Sequence, residues 1–74
     1  MLFTVEYHKD GIVEIYCDKE GLSLLITRLM RLQKDGKGHE HFMTPSWAGN
    51  ELTEEKQYPE NELINHLCIM LKPG

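Results

Sequence analysis

The sequence has no apolar run beyond a few residues, which excludes a helix able to cross a membrane. It also lacks a basic start followed by an apolar stretch, so the expectation is a cytoplasmic protein without a secretion signal. Cysteine is scarce, at Cys17 and Cys68 only. Without an oxidising compartment the two thiols are expected to stay reduced and buried as small hydrophobes, with one disulfide between neighbouring strands as the alternative. Gly-x-Ser-x-Gly, Cys-x-x-Cys and His-Glu-x-x-His are all missing, and the thiols lie in apolar runs where burial makes them inert. No enzyme is expected and no cofactor is implied. Basic excess is missing as well: eight Lys and Arg stand against twelve Asp and Glu, a net charge of −4. A nucleic-acid binder needs a basic surface to displace phosphate counterions, so that class is excluded.

The negative charge has an address. Residues 51–62 carry five Glu and one Lys, the whole excess, while the rest of the chain is balanced. A concentrated acidic stretch is either a solvated loop that keeps a protein soluble or a patch that steers a basic partner. At 74 residues, 41% hydrophobic and 27% charged, the chain reads as one small globular domain, 1–74. Its core is limited, and self-association through a homodimer contact is one way to supplement it.

Alternation over residues 2–8 and 12–17, separated by Lys9-Asp10-Gly11, predicts an antiparallel hairpin. Phe3, Val5, Tyr7, Val13, Ile15 and Cys17 are its core-facing residues; Ile12, Glu14 and Tyr16 mark the solvent side. Asp18 is a helix N-cap, Glu20 suits the positive end of the dipole, and Gly36 is a left-handed stop. Between them Leu22, Leu25, Ile26, Leu29 and Leu32 form a single buried stripe. Residues 39–44 read as a third strand ended by Pro45. Residues 45–61 show no period and read as a long loop. The nearly continuous apolar stretch 62–71 fits a central strand or one at a dimer contact, with a short helix as the competing reading. The expected architecture is α+β, a small single domain in β-β-α-β-β order, with one amphipathic helix packed on a mixed or antiparallel sheet.

Few side chains point to chemistry. His39 and His41, two apart on a strand, share a face, and that spacing occurs among metal ligands. A metal-binding module would take its third ligand from His66, Glu51, Glu54 or Glu55; the alternative is a pair of surface histidines. Trp47 is the only tryptophan. In a loop it either plugs one end of the core, the favoured reading, or anchors an interface, where tryptophan is enriched.

The segment His39-Glu40-His41-Phe42-Met43-Thr44-Pro45-Ser46-Trp47-Ala48-Gly49-Asn50-Glu51-Leu52 resembles the immunity protein 32 family of bacterial polymorphic toxin systems. That family has a His-x-His pair running into a Met-Thr-Pro-x-Trp-Gly-type segment and ending near Glu-Leu. Asp18, Gly21 and Leu22 at the helix start, and Asn65-His66-Leu67 further on, are similar too. Ala48 departs from the pattern, which favours glycine there. The resemblance implies a small cytoplasmic protein that neutralises a cognate toxin by stoichiometric binding. Of the shared positions, His39, His41, Trp47 and Glu51, together with the acidic Glu54 and Glu55, are the candidate partner-binding residues. The acidic run independently suits a toxin with a basic surface.

Overall fold

The chain forms two antiparallel sheets and one long helix, described here for residues 1–73 from a computed structural model. Strand β1 (Phe3–His8) pairs with β2 (Ile12–Cys17) in the register Val5 to Ile15 and Tyr7 to Val13. Gly11 closes the turn with φ 91°, a left-handed conformation that glycine enters freely. Helix α1 spans Lys19–Asp35. The Asp18 carboxylate accepts from Gly21 N–H at 2.8 Å and from Leu2 N–H at 2.9 Å, so one cap fixes both the helix start and the chain entering β1. These N–H groups hold the Asp18 carboxyl below its usual range, with Gly21 the main contributor. Gly21 also permits close docking, because a Cβ there would collide with the Leu2 carbonyl. At the far end Gly36 (φ 75°) donates to the Leu32 carbonyl.

Strand β3 (Gly38–Met43) follows, then a 3₁₀ turn at Pro45–Trp47 and a loop. The stretch expected to be one central strand is instead two strands, β4 (Glu62–Ile64) and β5 (His66–Leu71), in different sheets. The sheet orders are β2-β1-β4 and β3-β5. Asn65 is the break: its carbonyl and side-chain oxygens accept from the Thr44 N–H and hydroxyl at 3.0 and 2.7 Å, in place of strand pairing.

Phe3, Val5, Phe42 and Leu52 form the buried centre, with Phe3 and Phe42 edge to face at 5.7 Å. Leu25, Leu67 and Ile69 pack against it. Several expectations about burial fail. The helix stripe is split: Leu32 is buried and Leu25 packs on the core, but Leu22, Ile26 and Leu29 are each more than a third exposed. Arg31 makes a two-pronged ion pair to Glu40 on β3 at 2.7 and 2.9 Å, with Arg28 joining at 3.3 Å. Pinning the Arg28 and Arg31 side of α1 over β3 turns the Leu22 side outward. The hairpin's second face, expected to meet solvent, is covered by the loop: Thr4 and Glu6 are fully buried, while Val13 and Ile15 on the first face stand exposed. The cysteines are free thiols, Cys17 partly buried and Cys68 exposed on β5 rather than buried. No helix among the described residues is long and apolar enough to cross a membrane.

Candidate functional site: a histidine and tryptophan face

The segment after β3 is folded by its own sequence. Proline at the first position suits the 3₁₀ turn, since its missing N–H would be unpaired there anyway. The Thr44 carbonyl accepts from both Trp47 N–H and Gly49 N–H at 2.9 Å. Ala48 sits at φ 62°, ψ 22°, in the left-handed region where a glycine is at ease. Gly49 is required, because a Cβ would run into the Met43 backbone and Cβ. Leu52 then enters the core, and its N–H donates to the Met43 carbonyl.

Glu51 and Glu54 serve the same local structure. One oxygen of Glu51 accepts from Met43 N–H at 3.0 Å, and the other lies 3.7 Å from Arg28. Glu54 accepts from Ser46 N–H at 2.9 Å, and the Ser46 hydroxyl and N–H hold its carboxyl below the usual range. Glu55 is exposed, and its carboxylate has no hydrogen bond or ion pair among the described residues. The three glutamates thus differ: Glu51 braces the turn from a largely buried position, Glu54 braces it from an exposed one, and Glu55 is free.

The histidines behave differently. His39 and His41 share the outer face of β3, their rings 4.4 Å apart. Across the strand pair, Met43 is in register with His66, which brings the His66 Nε2 to 2.6 Å from the His41 Nδ1. Such a contact holds one ring proton between the two nitrogens. The Trp47 ring is 6.0 Å from His66, and Trp47 is 54% exposed, so it does not plug the core as expected. The reason is that the core end is already closed by Leu52, while the 3₁₀ turn carries the indole outward. Three imidazoles and an indole therefore form one strip. Among the described residues no three His, Cys, Asp or Glu side chains are placed to hold a metal ion.

Sequence reasoning did not single out Glu6. Its carboxylate accepts from the Thr4 hydroxyl (2.6 Å), Gln57 N–H (2.9 Å), the Asn61 amide (3.0 Å) and Tyr58 N–H (3.3 Å). Burial pushes this carboxyl up, but the four donors together outweigh it and hold it below the usual range. Glu6 is the post on which the acidic loop is hung. The one sequence signal was an acid on an otherwise alternating strand. Glu40 is likewise buried, and the Arg31 guanidinium holds its carboxyl low.

These features define a small α+β protein whose motif residues divide into an inner set that shapes the turn and an outer set of rings on one surface. The chain matches the family model of Immunity protein 32 over residues 12–67, and it belongs to that family. Membership supports an immunity-type role, and the family implies a toxin partner in general terms. No curated protein and no solved structure matches the chain.

Proposed function

We infer that this protein binds a cognate bacterial toxin stoichiometrically in the cytoplasm and blocks it, using the strip of His39, His41, His66 and Trp47 as the contact. The observation that carries this reading is the convergence of residues from β3, the 3₁₀ turn and β5 on one exposed face. Nothing in the packing calls for an indole there, since its larger part lies outside the core. Exposed tryptophan beside polar rings is the composition of an interface centre, where a few aromatic side chains supply most of the affinity.

The acidic loop borders this strip, because Glu54 is bonded to Ser46, the residue before Trp47. Glu51, Glu54 and Glu55 add negative potential at the rim, which favours a toxin with a basic surface and speeds its approach. Rim charges chiefly change association rate, and Glu51 is already partly offset by Arg28. The rings therefore carry the affinity and the carboxylates the steering. No catalytic step is assigned to any residue.

The test is capture of the toxin on the tagged chain, followed by rescue of growth when the two are co-expressed. Trp47→Ala and His66→Ala are expected to lose rescue while remaining folded. A captured toxin that both variants still neutralise at equal expression would overturn the assignment of this face.

A further inference from the structure

We propose that the free edge of β5 and the second apolar stripe of α1 bind a second copy of this chain, giving a homodimer with the two β5 strands antiparallel. Leu22, Ile26, Leu29 and Met30 follow the i, i+4, i+7, i+8 spacing of one helix face, but this face lies away from the core. They are 45%, 47%, 38% and 62% exposed. With Leu71 at the end of β5, the latter part of this stripe lines an open groove of about 400 Å³. β5 is paired along one edge only, to β3, so its other edge offers a row of unpaired N–H and C=O groups.

Two observations select a second copy as the occupant. First, β5 (His66–Leu71) carries no Lys, Glu, Asp or Pro, the residues that usually guard a free edge. Second, neither the stripe nor β5 contains a carboxylate, so two chains of net charge −4 can meet here without bringing acidic groups together. A basic partner gains nothing at such a surface. Two-fold pairing of identical strands satisfies the edge and covers both stripes in one step.

This inference stands apart from toxin binding, which uses the outer face of the strands. Sedimentation equilibrium of the full chain in reducing buffer, needed because Cys68 is exposed, reads it directly. At about 100 μM the chain is expected at roughly twice its 8.6 kDa mass. Met30→Glu, at the most exposed stripe position, is expected to weaken dimerisation at least tenfold with its helical circular dichroism retained; Glu55→Gln is expected to leave it unchanged. In the wild type, alternate β5 amides are expected to exchange more slowly at about 100 μM than at about 1 μM. An 8.6 kDa mass at the higher concentration, or β5 exchange independent of concentration, would overturn the proposal whatever the variant does.

Discussion

The inner and outer residues of the family motif sit only a few ångströms apart, yet they face opposite physical demands. Thr44, Gly49, Leu52 and Asn65 are fixed by packing and hydrogen bonds within the chain: a buried hydroxyl, a backbone approach that admits no Cβ, a core leucine and a strand break. His39, His41, His66 and Trp47 touch mainly one another and solvent. A sequence pattern that joins both sets thus records two different requirements. The inner residues make the platform; the outer ones are what the platform presents. Changes to the first set should lower stability, and changes to the second should lower binding with the fold intact.

The largest expected effect on the platform is from Leu52→Ala. It removes a fully buried leucine from a four-residue centre and should cost about 3 kcal/mol in urea unfolding. A loss under about 1 kcal/mol would mean the inner set is not held by packing. Thr44→Val keeps shape but strips the hydroxyl from the Asn65 oxygen, and a loss of about 1–2 kcal/mol is expected. Ala48→Gly runs the other way. Relief of the left-handed strain should raise stability by about 1 kcal/mol, and a destabilised variant would show that Ala48 is not strained.

Acid should act on the platform through two buried carboxylates. Glu6 and Glu40 are held below the usual glutamate value of 4.5, so the folded state binds these protons less readily than the unfolded chain. Their contribution is present above that value and fades as pH falls below it. The melting temperature should be flat from pH 7 to about 5 and decline at lower pH, and Glu6→Gln should flatten that decline.

Local rules made part of this structure legible. Asp18, Gly36 and the Asp10-Gly11 turn do what their types predict, because caps and turns are decided within a few residues. The His39 and His41 pair was readable from strand alternation. The split of the helix stripe was not, since it depends on Arg28 and Arg31 finding Glu40 from another element. The burial of Glu6 was hidden for the same reason: three of its four donors come from residues more than fifty positions away. His66 joined the site through strand register, which follows from the break at Asn65 and has no local signal.

The most direct test of the division between platform and presented face is a pair of measurements on Trp47→Ala: equilibrium unfolding, and affinity for the captured toxin by calorimetry. Stability within about 0.5 kcal/mol of the wild type, with affinity reduced by about 2 kcal/mol or roughly thirtyfold, is the predicted result. An unchanged affinity, or a stability loss as large as that of Leu52→Ala, would contradict it.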